Sequence, residues 1–144
     1  MKLPEKEVIL NWVNKPTILR LMKENTWTYD FSKQWFTDFM CWMYTSVRSE
    51  LETDKFFSMD ELNNLDKVWH AYILNTKDYF TMSQELFDIN YIHHDPENPF
   101  LEGEFENEEL TSQIMMLIDD WGEEYVDRVW KYGADIHDII NGEI

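Results

Sequence analysis

The sequence predicts an all-α fold, a single compact domain of about six to eight helices that spans residues 1–144. Apolar side chains recur at helical spacing over most of the chain, and no segment alternates cleanly between polar and apolar residues as a half-buried strand would. The length suits one domain, and seven Trp, seven Tyr and nine Phe supply large apolar side chains for its core.

The N-terminal third predicts three helices. Pro4 can open a first helix that runs to about Val13, and Pro16 requires a break before a second helix in TILRLMKEN. The segment DFSKQWFTDFMCWMYTSVRSEL then carries apolar residues four positions apart, which is typical of a core helix. Its stripe comprises Trp35, Phe39, Met43 and Val47, flanked by Phe36, Met40 and Trp42.

Two further helices are predicted in the centre of the chain. Ser58 and Glu61 match a capping box, in which each side chain binds a backbone N–H at the helix start. The buried stripe of that helix would be Leu62, Leu65, Trp69, Tyr72 and Ile73. Thr76 is the predicted N-cap of the next helix. Its buried side would be Tyr79, Phe80, Ser83 and Phe87.

The segment that follows the adjacent His93 and His94 is predicted to be an irregular, exposed loop. Residues 95–109 hold seven acids, two prolines and no base. The segments ELTSQIMMLIDDWG and EEYVDRVWKYG then predict two helices that end at Gly122 and Gly133, and DIHDII predicts a short final turn.

The charge is concentrated in the C-terminal half. Residues 85–144 contain 17 acids and two bases, whereas residues 1–84 contain 12 acids and 10 bases, for a formal net charge of −17. A field of this sign repels nucleic-acid backbones and anionic membranes and favours basic partners or cations. We therefore expect no direct binding to nucleic acid or membrane, and a basic or nucleic-acid-binding protein as the partner.

The expected location is the cytoplasm of a bacterium or of a phage-infected host cell. No stretch approaches the roughly 18 uninterrupted apolar residues of a membrane span, and the N-terminus carries charges where a signal peptide has an apolar core. The single Cys41 forms no internal disulfide and fits a reducing compartment as a packed core residue. Few Ala and Gly beside many Lys, Asn and Ile suggest an AT-rich genome.

Asp66 and His70 are the first residues that could carry chemistry. They lie four positions apart, so a helix places them on one face. The carboxylate could hold one imidazole nitrogen and leave the other free for a metal or a proton. The alternative is an ordinary polar pair at the edge of the helix.

His93 and His94 extend this candidate site, because a loop returning over the Trp69–His70 face would bring one of them close to His70. Together with Asp66 or Asp95, these side chains would supply nitrogen and oxygen ligands for a divalent transition metal. The alternative is a buried structural pair. The candidate metal ligands are His70, His93, His94 and Asp66, and the wider polar centre adds Trp69, Tyr79 and Asp95.

The segments LDKVWHAYILNTKDYF and YIHHDP together resemble the signature of the glycine-rich-domain-containing-protein-like family, a helical domain found in bacteria and plants. The resemblance covers about residues 58–96 and implies a helical fold with a shared polar core or site, without implying a specific activity. Tyr72 stands where plant members tend to carry another His. The matching residues are Ser58, Asp66, Trp69, His70, Ile73, Leu74, Thr76, Tyr79, Ile92, His93, His94 and Pro96.

Three functions are compatible with these features. The first is protein–protein interaction or regulation by an acidic helical protein with a His/Asp polar centre. The second is a metal-dependent enzyme, in which Asp95 or Glu97 would act as general base. The third is an acidic inhibitor that imitates nucleic acid. The predicted partner-binding acids are Glu102, Glu104, Glu106, Glu108, Glu109, Asp119, Asp120, Glu123 and Glu124.

Overall fold

The computed structural model describes residues 1–57, 63–92 and 107–129, and within these ranges it contains seven α-helices and no β-strand. The predicted all-α fold is therefore confirmed. The capping box of Ser58 and Glu61, residues 95–106 of the predicted acidic loop, Gly133 and the final turn lie outside the described residues. The last three residues predicted for that loop, 107–109, instead form the first turn of a helix. In chain order the helices are α1 (Lys6–Asn11), α2 (Lys15–Asn25), α3 (Tyr29–Thr53), α4 (Asn63–Ile73), α5 (Thr76–Phe87), α6 (Asn107–Trp121) and α7 (Glu123–Val129).

Helix α3 forms the centre of the core. Thr28 caps its start by accepting a hydrogen bond from the Phe31 N–H at 3.2 Å. All seven apolar residues predicted for this helix are buried, and burying each large aliphatic or aromatic side chain contributes about 1.5–3 kcal/mol. Although α3 has 25 residues, none of the described helices combines the length and the apolar content needed to cross a membrane.

Two groups of helices pack on different faces of α3. Helices α2 and α4 contact α3 and each other, and α5 contacts α4, whereas α6 contacts α3 and α7. Toward α4, the rings of Phe36 and Phe39 lie 5.3 and 6.5 Å from the ring of Tyr72. The ring of Trp42 lies 5.5 Å from that of Trp69. Aromatic side chains therefore dominate the interface between α3 and α4.

Helix α1 is shorter than predicted and ends at Asn11 rather than near Val13. Trp12 takes an extended backbone conformation, with φ −73° and ψ 129°. Its indole N–H donates a hydrogen bond to the Tyr72 hydroxyl at 3.1 Å. Helix α1 therefore ends where the Trp12 side chain turns toward the core to bind Tyr72.

Helix α2 begins two residues before the predicted start. Pro16 lies in its first turn, where the missing N–H has no helical partner to lose. The side chain of Asn14 caps the helix by accepting a hydrogen bond from the Thr17 N–H at 3.1 Å, and its amide donates to Asp78 at 2.9 Å. One asparagine thus starts α2 and ties it to α5.

The predicted N-cap role of Thr76 is wrong. Thr76 is the first residue of α5, and Asn75 occupies the N-cap position without a capping hydrogen bond from its side chain. The Asn75 amide donates instead to the Thr17 hydroxyl at 3.0 Å and to the Ala71 carbonyl at 3.4 Å. A tertiary contact with α2 has taken the place of the local cap.

The predicted apolar side of α5 needs a second correction. Tyr79, Ser83 and Phe87 are buried as expected, but Phe80 is 43% exposed and stacks on the ring of Tyr91 at 5.5 Å. Successive helical residues are rotated by about 100°, which turns Phe80 away from the stripe that contains Tyr79. In α4, Leu65, Trp69 and Tyr72 are buried as predicted, Ile73 is half-buried, and Leu62 lies outside the described residues.

Gly122 separates α6 from α7, as the sequence predicts. Its φ of +94° lies in the region that favours glycine, and its N–H donates to the Ile118 carbonyl at 2.8 Å. Three other helices end on residues with positive φ that are not glycine, namely Thr26, Asp54 and Asp88.

Thr26 is the most strained of these three because it is β-branched and has a φ of +57°. We expect Thr26→Asn to raise the free energy of unfolding by about 0.5–1 kcal/mol, since asparagine adopts this conformation more readily without the entropic cost of glycine. Urea denaturation measures the change. Asp54→Asn is the control, because aspartate already tolerates positive φ at that position, and it should leave the free energy of unfolding nearly unchanged. An equal gain in stability from both variants would contradict relief of strain at Thr26.

Candidate functional site

Trp69 and His70, the neighbouring members of the predicted polar centre, face different environments. Trp69 is buried and lies within 5.9 Å of Phe39 and 5.5 Å of Trp42, measured between ring centroids. His70 is exposed. Because α4 turns its buried face toward α3, only the indole of this pair enters the core.

The Tyr79 hydroxyl is the centre of a buried hydrogen-bond chain. It accepts a hydrogen bond from the Trp69 indole N–H at 2.8 Å and donates one to the Ile92 carbonyl. Burial raises the pKa of the Tyr79 hydroxyl, so it stays protonated at neutral pH and keeps its donor. Its two hydrogen bonds indicate a structural role for this tyrosine.

This chain fixes the backbone that leads into the His-His segment. Ile92 is buried, and its carbonyl accepts a hydrogen bond from Tyr79 of α5, whose hydroxyl in turn accepts one from the Trp69 indole of α4. The structure therefore brings together two members of the predicted centre, Trp69 and Tyr79, at the residue that precedes His93.

Asp66 and His70 are not brought together as a bonded pair. Asp66 is half-buried and His70 is exposed on the next turn of α4. Among the hydrogen bonds and ion pairs between described residues, none joins their side chains. A role for Asp66 in orienting the His70 imidazole is therefore unsupported by the geometry between the two side chains.

The metal hypothesis depends on residues beyond those two. His93, His94, Asp95 and Glu97 lie outside the described residues. In the part of the chain that the structure describes, no three His, Cys, Asp or Glu side chains are grouped so that they could hold a metal ion. The metal site stays a prediction.

Zinc titration of the whole chain tests that prediction. In metal-free protein we expect His70→Ala to change the free energy of unfolding by less than about 0.5 kcal/mol, because the side chain is exposed. A metal held by His70 and one of the adjacent histidines would raise the melting temperature of the wild type on adding zinc and leave His70→Ala unaffected. An identical change in melting temperature for the two proteins would show that His70 is not a zinc ligand.

Burial makes Cys41 unsuitable as a nucleophile. The side chain is 3% exposed in α3, and desolvation raises the pKa of its thiol to about 12, with a smaller contribution from the charge of Asp38. The thiolate is the reactive form, so this cysteine is a packed core residue, in agreement with the sequence interpretation.

A buried ion pair that the sequence did not reveal joins α3 to α7. Asp38 is 1% exposed and accepts two hydrogen bonds from the Arg128 guanidinium, at 2.8 and 3.0 Å. Gln34 donates to the same carboxylate at 2.9 Å, and the Tyr125 hydroxyl donates to the Asp38 carbonyl at 2.6 Å. An aspartate within the apolar run FTDFMCW was the available signal for such a contact.

Asp120, one of the predicted partner-binding acids, faces inward. Its carboxylate accepts hydrogen bonds from Arg48 at 2.8 Å and from the Thr45 hydroxyl at 2.7 Å, and its side chain is 6% exposed. Lys6 donates to its carbonyl at 3.0 Å, and the Trp121 indole donates to Thr45 at 2.9 Å. This network joins α6 to α1 and α3, so the Asp120 carboxylate is not available to a partner.

The other predicted partner-binding acids fall into three sets. Asp119 is 69% exposed, with one oxygen 3.1 Å from Arg48, and Glu123 and Glu124 are exposed at the start of α7. Asp127, which the sequence interpretation did not select, is exposed on the same helix. Glu108 and Glu109 lie within α6, whereas Glu102, Glu104 and Glu106 lie outside the described residues.

Comparison of the chain with protein-family models, curated proteins and solved structures finds no match. The resemblance to the glycine-rich-domain-containing-protein-like family therefore stays a prediction. The structure itself shows two features: the buried hydrogen-bond chain of Trp69 and Tyr79, and an acidic surface at the junction of α6 and α7, where Asp119, Glu123 and Glu124 are exposed.

Proposed function

We propose that the protein acts by protein–protein interaction and that the acidic surface of α6 and α7 binds a basic partner. The observation that carries this proposal is the separation of charge between the two helix groups. Helices α6 and α7 contain seven acids and one base, whereas α2, α4 and α5 together contain four acids and five bases. A basic partner would be attracted to one side of the protein.

The cations near this surface are largely occupied by internal contacts. Arg128 directs its guanidinium to Asp38, and Lys6 and Arg48 bind Asp120. Glu123, Glu124 and Asp127 are exposed, and no hydrogen bond or ion pair of their side chains is found within the described ranges. These three carboxylates can therefore each accept a lysine or arginine from a partner.

The predicted polar centre is compatible with this proposal because its polar groups are occupied by contacts within the protein. The Trp69 indole and the Tyr79 hydroxyl are hydrogen-bonded to each other, and the Tyr79 hydroxyl also donates to the Ile92 carbonyl. The Cys41 thiol is buried and protonated. These groups stabilise the fold. In this proposal the centre supports the shape of the protein, and recognition takes place on the charged surface.

Neutralising acids in matched pairs tests the proposal. The pair Glu123→Gln and Asp127→Asn removes two charges from the acidic surface, and the control pair Asp30→Asn and Glu85→Gln removes two exposed charges from α3 and α5. Each pair includes one acid from the first turn of a helix. For a partner recovered from host-cell extract, we expect the first pair to weaken binding roughly three- to tenfold at low salt and the control to leave binding unchanged.

Calorimetric titration at low and high salt measures both effects. Attraction between exposed charges is screened beyond about 8–10 Å at physiological salt, so the difference between the two pairs should shrink as salt is added. Equal weakening by both pairs would show that only net charge matters and would overturn the proposed surface. If the partner binds nucleic acid and duplex DNA competes with this protein for it, the result would favour the form of the proposal in which the protein imitates nucleic acid.

A further inference from the structure

We draw no further inference here: the strongest candidate, the exposed apolar side chains of Val8, Leu10, Val13 and Leu19 on α1, α2 and the connection between them, is an unpartnered face for which nothing in the structure shows what covers it.

Discussion

Replacing Arg128 by alanine is expected to lower the free energy of unfolding by about 2–4 kcal/mol. The substitution would leave the carboxylate of Asp38, whose side chain is 2% exposed, with Gln34 as its remaining side-chain partner. A buried charge without a counter-ion loses its hydration without compensation. Urea denaturation at neutral pH measures the loss, and a change below about 1 kcal/mol would contradict a buried ion pair.

Replacing the other partner of the ion pair, Asp38, is the control for this experiment. Asp38→Ala should cost less than Arg128→Ala, because the Arg128 side chain is 44% exposed and can turn its guanidinium to water. The double variant should be more stable than the sum of the two losses implies, since each single change leaves a partner unpaired. If removing Asp38 proved the more damaging change, the assignment of Asp38 as the desolvated partner would be wrong.

Tyr79→Phe is expected to lower the free energy of unfolding by about 2–4 kcal/mol, although it removes a single oxygen atom. That oxygen is both the acceptor for the Trp69 indole N–H and the donor to the Ile92 carbonyl. Its loss breaks two buried hydrogen bonds at once, and a buried polar group that loses a hydrogen bond costs about 1–3 kcal/mol in the interior. Thermal and urea denaturation both measure this effect.

Tyr72→Phe is the matched control for that experiment. Tyr72 is as deeply buried as Tyr79, at 1% exposure, but its hydroxyl accepts one hydrogen bond, from the half-buried Trp12. We expect a loss of about 1 kcal/mol from this variant. Equal losses from the two variants would contradict the two-sided role of the Tyr79 hydroxyl.

The apolar stripe of α3 could be predicted from the sequence because it depends on local spacing. A residue such as Phe39 or Met43 is buried whenever the helix turns that stripe toward any apolar surface. Thr76 shows the limit of such reasoning: a local capping rule was overridden by Asn75, whose amide reaches Thr17 on another helix. Propensity rules do not contain that tertiary contact.

The candidate surface could be predicted only in part. Charge composition located it in the C-terminal half, but composition does not distinguish Asp119, which is exposed, from Asp120, which is buried against Arg48. Helical rotation was a usable signal, because Asp120 follows Leu117 by three positions and therefore falls near the buried stripe. The partners of Asp38 and Asp120 lie 90 and 72 residues away in the chain, beyond any pattern of local spacing.

The separation of charge between the helix groups gives the described part of the molecule an electric dipole in addition to its net charge. If the proposed basic partner binds, its field would rotate such a molecule during diffusion so that α6 and α7 arrive first. Collisions in the wrong orientation then become rarer, and the association rate rises while the dissociation rate changes little. Stopped-flow mixing would show this as an association rate constant that falls with ionic strength beside a nearly constant dissociation rate constant.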